Sequence, residues 1–551
     1  MQNLFLRIRC LAVVILFAIP GTVYSQQAPG IQWQKCLGGT GDDGAKCIIQ
    51  TSDSGYVMAG STISSDGDVS GDHINGPYNR DAWIVKLSPS GALQWQKCLG
   101  GTGDDAANCI IQTKDGGYAI AGLTTSNDGD VSGIHGSNPD AWIIKLSSSG
   151  AIEWQKCFGG SFLDQANSII QTSDGGYTVA GFTSSIDGDV SGNHGGSDAW
   201  VIHIDSLGNL KWQQCYGGSG EENANSIART VDGGYIIGGS ATSADGEVTR
   251  HHIGGVYQLD AWIIKIDSIG KLQWQKCLGG EQDDAANSII ETPGHEFIFA
   301  GFTSSSTGDV IGYHINADSG NSDFWVVKLD LNGNIVWQKC LGGSDDDRAF
   351  SIANTSDQGV VATGYTRSSD GDVSGNHQNT GYDAWLVKLD FSGDLEWQKC
   401  LGGTDGDEAY SVIQDIGDGY TIAGTTKSNN DGDVSGFHGG EGYDAWVVNL
   451  NAVLGAPSSS SSNSYHLSLS VYPNPAYNTA TISFDVPQTS LSSRIVVRNV
   501  LGELIQQVQL QSIVAGYTEM PLDLRGFSDG TYFITVTTCG LSETTAVTLI
   551  K

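Results

Sequence analysis

The chain has 551 residues and carries 27 Lys and Arg against 61 Asp and Glu, which gives a net charge of −34. A surface with this excess of negative charge repels nucleic acids and anionic membranes, so the composition excludes both as partners. It suits an extracellular protein or one that binds cations.

The first 25 residues have the pattern of a secretory signal peptide. Arg7 and Arg9 precede an apolar run at residues 11–19, and the small residue Ser25 ends the segment. The apolar run is too short to span a bilayer. We therefore predict export of a mature chain without a transmembrane segment, because no later stretch is long and apolar enough to cross a membrane.

The next 430 or so residues repeat with a period of about 60 residues, which is typical of repeat folds. Each unit has four short runs rich in Ile, Val, Tyr and Trp, separated by turns of Gly, Asp and Ser, and these runs predict four strands, A to D. Every Trp lies in a repeated motif, either W-Q-[KQ]-C in strand D or D-[AF]-W in strand C. The strand C tryptophans, which we expect to have a structural role between blades, are Trp83, Trp142, Trp200, Trp262, Trp325, Trp385 and Trp446.

Seven four-stranded units arranged radially predict an all-β fold, a seven-bladed β-propeller, over residues 26–454. The repeat begins with a D-type strand at residues 31–36 and ends with a C-type strand at 445–450. We expect the N-terminal strand to complete the last blade and to close the ring. Seven cysteines occupy equivalent places in the D strands, where we expect buried free thiols in preference to disulfides.

The loop between strands B and C is acidic. Five units read D-G-D-V-S-G-x-H, unit four departs with His251, and unit five has Thr307 in place of the first Asp. Oxygen ligands at positions 1, 3 and 5 followed by glycine resemble the start of a calcium-binding loop, which makes calcium a candidate cofactor. The candidate ligands are Asp66, Asp68, Asp128, Asp130, Asp187, Asp189, Asp370, Asp372, Asp431 and Asp433.

Two other interpretations of the acidic loops remain open. The recurring Asp, His, Ser or Thr and Trp could form a hydrogen-bonded set in each blade, resembling that of WD-repeat propellers. Paired carboxylates could also hydrolyse glycosides. A catalytic site, however, requires unique residues in unique roles, whereas these acids repeat around the ring and the arginines fall at unrelated places in the repeat. We therefore identify no catalytic residue.

A Ser-rich linker at residues 455–466 precedes a different composition at residues 467–551. The stretch Tyr472-Pro473-Asn474-Pro475, the later Asn499-Val500-Leu501-Gly502-Glu503 and the ending from Gly530 resemble the type A sorting domain of the Bacteroidota type IX secretion system. The resemblance implies an immunoglobulin-like β-sandwich that engages the type IX secretion machinery and directs the protein to the outer surface of a Gram-negative cell or the medium.

Residues 32–450 resemble the secreted seven-bladed propeller repeats of Bacteroidota surface proteins. We therefore expect a binding or adhesion module that uses the face carrying the D–A and B–C loops, with a protein or glycan as ligand. The alternative is an extracellular polysaccharide-acting enzyme, a glycoside hydrolase or lyase, on the same scaffold.

Overall fold

The protein consists of two compact units, Met1–Leu454 and Gly455–Lys551. The computed structural model describes residues 27–73, 76, 79–249, 251–252, 258–314, 321–377, 381–440, 442–452, 469–472, 476–477, 479–486, 493–499, 504–510, 516–538 and 541–549. The predicted signal peptide and linker lie outside the described residues, as do Pro473, Asn474 and Pro475 of the sorting motif.

The described part of the first unit contains strands and no helix. Blade 1 consists of β2 Asp43–Gln50, β3 Tyr56–Thr62, β4 Asp81–Leu87 and β5 Leu93–Leu99. Blade 2 consists of β6 Asp105–Gln112, β7 Tyr118–Thr124, β8 Asp140–Leu146 and β9 Ile152–Phe158. Blade 3 consists of β10 Asp164–Gln171, β11 Tyr177–Thr183, β12 Asp198–Ile204 and β13 Leu210–Tyr216.

Blades 4 to 6 repeat this order. Blade 4 consists of β14 Glu222–Arg229, β15 Tyr235–Ala241, β16 Asp260–Ile266 and β17 Leu272–Leu278. Blade 5 consists of β18 Asp284–Glu291, β19 Phe297–Thr303, β20 Asp323–Leu329 and β21 Ile335–Leu341. Blade 6 consists of β22 Asp347–Asn354, β23 Val360–Thr366, β24 Asp383–Leu389 and β25 Leu395–Leu401. Each sheet is antiparallel, and the sheets together form a seven-bladed propeller, which confirms the predicted fold.

The seventh blade contains both ends of the repeat region. It pairs β26 Asp407–Gln414, β27 Tyr420–Thr426 and β28 Asp444–Leu450 with β1 Ile31–Leu37 from the start of the chain. Because β1 covers the edge of β28, the last blade has no exposed C-strand edge. The indole Nε1 of Trp446 donates to Gln34 Oε1 at 2.8 Å across this closure.

The core lies between neighbouring blades. The C strands are buried over nearly their whole length, because both faces of each sheet are covered by other blades. On the outer side, the strand D tryptophan of one blade packs edge-on against the first aromatic residue of strand B in the next, as Trp33 does with Tyr56 at a ring separation of 5.6 Å. This contact recurs between Trp95 and Tyr118 at 6.0 Å.

Each innermost strand has a β-bulge at the same place. In β2 the pairing with β3 passes from Ala45 to Cys47, so that Lys46 has no partner in the ladder. The same skip occurs in the A strand of all seven blades. Bulges aim side chains away from the regular pleat, and here the bulged residues line a central cavity described below.

The second unit is also all-β over its described residues. It has a three-stranded sheet of β29 Ser470–Tyr472, β30 Thr479–Val486 and β33 Gly516–Asp523, and a four-stranded sheet of β31 Ser493–Asn499, β32 Leu504–Leu510, β34 Gly530–Thr538 and β35 Leu541–Leu549. Apolar residues from both sheets, including Phe484, Val497 and Ile534, form one buried core. The packing of two sheets on one core is that of a sandwich.

Candidate functional site

The last acidic residue of each D–A loop is buried and hydrogen-bonded within its own blade. Asp43 accepts hydrogen bonds from the Thr62 hydroxyl, from Ser64 Oγ at 2.7 Å and from the Gly39 amide at 2.7 Å. These bonds tie the D–A loop to the end of strand B. The equivalent acids are Asp105, Asp164, Glu222, Asp284, Asp347 and Asp407.

A second buried carboxylate precedes each strand C tryptophan and holds a histidine. In blade 2, Asp140 Oδ2 accepts from the His135 amide at 3.0 Å and contacts His135 Nδ1 at 2.7 Å. The other ring nitrogen, Nε2, lies 3.5 Å from Asp189 of blade 3. In six of the seven blades, all except blade 1, such a histidine therefore connects its own blade to the acidic loop of the next. In blade 4 the partner of Asp260 is His252, one residue after the His251 that the motif alignment selects.

Together these residues form a belt of fourteen buried carboxyl groups. Burial raises the pKa of Asp140, Asp284, Asp323, Asp347 and Asp407 to about 6. Neighbouring members repel one another, since Asp164 raises the pKa of Asp140 further. The belt repeats in every blade, which is what a requirement of the fold produces.

The strand C tryptophans belong to a second hydrogen-bonded set. Trp142 is fully buried, and its indole Nε1 donates to Gln155 Oε1 at 2.8 Å, while Gln155 Nε2 donates to Ser132 of the B–C loop. The glutamine of the W-Q-[KQ]-C motif therefore joins the tryptophan to the loop. The seven tryptophans, each at most 2% exposed, are Trp83, Trp142, Trp200, Trp262, Trp325, Trp385 and Trp446.

The candidate calcium ligands make separate contacts with the protein. Asp66 Oδ1 accepts from the Thr40 amide at 2.8 Å, whereas Asp68 Oδ2 faces His438 of blade 7 at 3.5 Å. Gly67 adopts a φ of 65°, and a Cβ there would lie 2.2 Å from the Gly38 carbonyl. The D-G-D sequence thus packs the B–C loop closely on the D–A loop. The same first-Asp contact is made by Asp128, Asp187, Asp370 and Asp431, and the second acids are Asp130, Asp189, Asp372 and Asp433.

Blade 5 tests the role of the first Asp by substitution. Thr307 replaces it, and its hydroxyl accepts from the Glu281 amide at 3.3 Å, so the loop contact is kept by a hydroxyl. Over the described ranges, no group of three or more His, Cys, Asp or Glu is placed to hold a metal ion. The hydrogen bonds favour the structural interpretation of these acids, and the calcium site predicted from the motif stays untested.

In contrast to the belt, the bulged residues of the A strands break the sevenfold pattern. They are Lys46, Asn108, Asn167, Asn225, Asn287, Phe350 and Tyr410. All seven line one cavity of about 450 Å³, which we call the central cavity. The side chains that line this cavity differ between blades, although the backbone positions that carry them are equivalent in all seven blades.

One half of the central cavity is lined by amides. Asn108 Nδ2 donates to the Ala166 carbonyl of the next blade at 2.9 Å, and Asn287 donates in the same way to Ala349 at 2.8 Å. Asn167 makes the equivalent bond to Ala224 at 3.0 Å. These bonds fix the amide groups, so that this wall presents oriented polar atoms.

The other half is aromatic and positively charged. Lys46 Nζ lies 3.3 Å from the centre of the Tyr410 ring, and Tyr410 stacks on Phe350 at 5.0 Å. Lys46 and Tyr410 also line an adjoining cavity of about 370 Å³ between blades 6, 7 and 1. We call it the aromatic cleft; it is further lined by Asp42, Arg80, Tyr382, Glu408 and Tyr443.

Four cations lie on aromatic faces in and around the cleft. Besides Lys46, these are Arg348 over Phe302, Arg367 over Tyr382 and Lys427 over Tyr443, at 4.5, 5.3 and 5.2 Å. Arg348 and Arg80 form ion pairs with Asp346 and Asp104. Within the described part of the chain, no carboxylate forms an ion pair with Lys46, Arg367 or Lys427.

The sequence pattern did not predict this site. The arginines fall at unrelated places in the repeat, whereas the structure places Arg80 in blade 1 and Arg348 and Arg367 in blade 6, on either side of blade 7. The available signal was the set of positions at which blades 6, 7 and 1 depart from the other units, such as Tyr382 and Tyr443 before the strand C aspartate.

The cleft offers hydrogen-bond donors, a positive charge and ring faces. Burial lowers the pKa of Lys46 to about 8, so that its amine is mostly charged at neutral pH. Burial raises the pKa of Tyr382 and Tyr410, so both phenols keep their protons and donate. Aromatic faces with oriented polar groups bind planar or sugar rings, and the cations favour an acidic substituent.

Larger cavities elsewhere are built from repeated positions. One of about 740 Å³ on the A–B turn side is lined by Trp274, Phe297 and Lys265, the blade 4 and 5 equivalents of residues found in the other blades. Such a cavity is a consequence of how blades meet. The aromatic cleft differs in this respect, because its aromatic and cationic lining residues come from blades 6, 7 and 1 and are not repeated at the equivalent described positions of the other blades.

Comparison with known proteins identifies the C-terminal unit. Residues 470–551 match the family described as secretion system C-terminal sorting domain. The match confirms the resemblance found in the sequence motifs, and the domain implies contact with the type IX export machinery. The chain is thus a secreted or outer-membrane-surface protein, a seven-bladed propeller that carries a sorting domain. None of the described residues forms a helix that could span a membrane.

One curated protein is similar to part of the chain. The regulatory protein FlaEY of Caulobacter vibrioides is 24% identical over 181 residues, which is 32% of this chain and 19% of FlaEY. The chain therefore matches about a fifth of that relative's length.

Three solved structures are similar to the chain over most of its length. The Pan2 WD40 domain of Neurospora crassa is 10% identical, with 75% of this chain and 95% of that chain covered and a TM-score of 0.42. A puromycin hydrolase is 10% identical over 84% and 62% of the two chains, with a TM-score of 0.42. PorZ, a surface component of the type IX secretion system of Porphyromonas gingivalis, is 11% identical over 92% and 81%, with a TM-score of 0.17. These matches leave the function of the propeller open.

Proposed function

We propose that the propeller is an extracellular binding module that holds an acidic saccharide in the aromatic cleft and the adjoining central cavity. The observation that carries the proposal is a set of three cations, Lys46, Arg367 and Lys427, that lie on aromatic faces and form no ion pair with any described residue, in a chain of net charge −34. In a strongly acidic protein, cations would be expected to pair with the abundant carboxylates. A ligand that brings its own carboxylate or sulfate would use them.

The ring faces support a saccharide as the rest of the ligand. Tyr382, Tyr410 and Tyr443 combine large apolar faces with phenol groups, and Tyr382 Oη lies 3.4 Å from Tyr443 Oη. The fixed amides of Asn108 and Asn287 lie on the opposite wall. Such a combination of stacking faces and a few oriented polar groups is the usual lining of a small-molecule or glycan site.

The cleft lies where extracellular loops converge. Tyr382 and Tyr443 directly precede the strand C aspartates at the ends of the B–C loops, and Asp42 ends the D–A loop of blade 1. The B–C loops are the long connections, whereas the D–A loops are as short as the turns at the opposite face. A surface-exposed or released protein can thus present the cleft to polymers outside the cell.

A screen of paired oligosaccharides tests the proposal. The exported protein is applied to an array in which each acidic saccharide is matched by its neutral counterpart. We expect acidic members to be retained and their neutral counterparts to bind at least tenfold more weakly. Retention of neutral saccharides alone, or of none, would contradict the proposed ligand class. Turnover of a bound saccharide would instead indicate the alternative of a polysaccharide-acting enzyme.

A further inference from the structure

Two cysteines of neighbouring blades are in contact at the centre of the propeller. Cys47 lies in β2 of blade 1 and Cys109 in β6 of blade 2, and their sulfur atoms are 4.0 Å apart. Equivalent residues of adjacent blades approach closely here because the A strands are the innermost ones. Both residues are thiols in this structure.

The side chain at the position that these cysteines occupy forms a hydrogen bond to the adjacent blade. It directly follows the bulge of strand A, and in the other five blades it is a serine. The serine Oγ accepts a hydrogen bond from the backbone amide of the next blade, as Ser168 does from Ile227 at 3.3 Å and Ser411 from Ile48 at 3.1 Å. Cys47 makes the same contact with the Ile110 amide at 3.4 Å.

The cysteines of the D strands differ from this pair. Cys98 and Cys157 contact glutamine oxygens of their own strands, at 3.7 and 3.9 Å, and burial raises the pKa of both thiols to about 12. Between the described cysteines, the contact of Cys47 with Cys109 is the one in which two sulfurs meet. Cys47 of blade 1 therefore contacts both the backbone and the thiol of blade 2 at this interface.

We propose that Cys47 and Cys109 form a disulfide that ties blade 1 to blade 2 in the exported protein. The extracellular destination provides the oxidising setting that disulfides require. The two residues are separated by 62 positions in the chain. A cross-link over such a long loop restricts the unfolded chain and stabilises the folded ring.

The oxidation proceeds by thiol–disulfide exchange with an oxidant that contains a disulfide. The thiolate of Cys109, stabilised by the hydrogen bond from Cys47 that lowers its pKa, attacks one sulfur of that disulfide and releases the other as a thiolate. The sulfur of Cys47 then loses its proton and attacks Cys109 Sγ. The Cys47–Cys109 bond forms, the mixed disulfide breaks, and the oxidant leaves as two thiols, having taken up the two electrons and two protons.

The bridge would also fix the central cavity. Cys47 follows Lys46, and Cys109 follows Asn108, and both of these neighbours are bulged residues that line the cavity. A covalent link between the two positions holds the amide wall and the charged wall at a constant separation. The disulfide is independent of the ligand proposed above, since it depends on the interface alone.

Peptide mapping of the full exported chain tests the disulfide. The protein is denatured with an alkylating reagent and no reductant, and is then digested with trypsin. We expect peptides 47–80 and 98–114 to be joined and to separate on reduction. Because the second peptide also contains Cys98, the Cys98→Ser variant is mapped in parallel and should retain the link. Alkylated Cys47 and Cys109 in the exported protein, or a link from either to another cysteine, would overturn the proposal.

Thermal melting gives a second, independent readout. Reductant should lower the melting temperature of the wild-type protein by several degrees and leave that of the Cys47→Ser, Cys109→Ser double variant unchanged. Serine is the residue of the other five blades at this position, so the variant is expected to fold. An equal response of the two proteins to reductant would overturn the proposal, since the thiols would then carry no bond to break.

Discussion

The ammonium group of Lys46 in blade 1 lies 3.3 Å from the centre of the Tyr410 ring in blade 7. Both residues occupy the bulged position of an innermost strand, at which four other blades have asparagine. The contact places a positive charge on an aromatic face beside the central cavity, and no symmetric repetition of the blade would produce it. It lies in the part of the ring to which the proposed function assigns ligand binding.

The charge state of Lys46 predicts how ligand binding depends on pH. Its pKa is lowered to about 8 by burial, so the ammonium is present below that pH and is lost above it. We expect the affinity for an acidic saccharide to fall as the pH rises from about 7 to about 9. Calorimetric titration over this range measures it. Lys46→Gln should bind more weakly at neutral pH and show a flatter profile; an unchanged profile in this variant would contradict the assignment.

The carboxyl belt predicts that the propeller is more stable in mild acid than at neutral pH. The pKa of Asp347 is about 6 in the folded state and about 3.8 in the unfolded chain, so folding favours its protonated form. This contribution is fully present below pH about 4 and is lost as the pH rises through about 6. His135 and His194, whose pKa values are raised, act in the same direction. We therefore expect the melting temperature to fall between pH about 4.5 and about 7.5.

Two variants separate this effect from general charge repulsion. Asp347→Asn should weaken the pH dependence in that window, because a neutral side chain replaces one that must ionise. Asp53→Asn should leave the slope unchanged, since an ion pair with Lys86 lowers the pKa of Asp53 to about 2, outside the window. A melting temperature that rises from pH about 4.5 to about 7.5 would contradict the claim that ionisation of the buried carboxyl groups destabilises the folded propeller.

The closure of the ring predicts unequal effects for one substitution at two equivalent positions. Gln34→Leu removes the acceptor of the Trp446 indole, and Gln155→Leu does the same for Trp142. Leaving a buried indole N–H without a partner costs about 1–3 kcal/mol. We expect Gln34→Leu to cost more in chemical denaturation, because β1 is not joined to β28 by a hairpin turn and can detach. Equal costs would indicate that closure is no weaker than the other blades.

The acidic loops allow a direct test of calcium binding. Asp66, Asp68 and Ser70 contact Thr40, His438 and Gln96 respectively, so their oxygens do not share a common neighbour. We expect the same melting temperature with calcium and with chelator. A site saturated at about one hundred times its dissociation constant would add about 2.7 kcal/mol, so a large rise with calcium would show that the loops do bind the metal.

The repeat architecture was predictable because it depends on a period and on the phase of that period. The positions of Trp33 and Trp446 at the two ends of the repeat predict that β1 completes the last blade, and the structure confirms this. The sorting domain was predictable because its motifs are short, ordered and specific to one family. In both cases the information lies in short, contiguous stretches of sequence.

The candidate site was not predictable in the same way. Lys46, Tyr382 and Tyr410 lie far apart in the chain, and each departs from its own repeat at a different position. A bulge, which skips one residue in the pairing of each A strand, decides which residue faces the cavity. The partner of Asp260 shows the same limit, since only the folded loop distinguishes His252 from His251.

The most direct test of the proposed function compares two alanine variants at equivalent positions of two blades, one that removes an aromatic side chain and one that removes an amide. Tyr410 and Asn167 are both bulged residues of strand A that line the central cavity, in blades 7 and 3. The dissociation constant of an acidic oligosaccharide retained in the screen is measured by calorimetry for the wild type, Tyr410→Ala and Asn167→Ala. We predict at least a tenfold loss of affinity for Tyr410→Ala, because ring stacking and the support of Lys46 are removed, and a smaller loss for Asn167→Ala. Unchanged affinity in a folded Tyr410→Ala variant would contradict the assignment of ligand binding to the aromatic cleft.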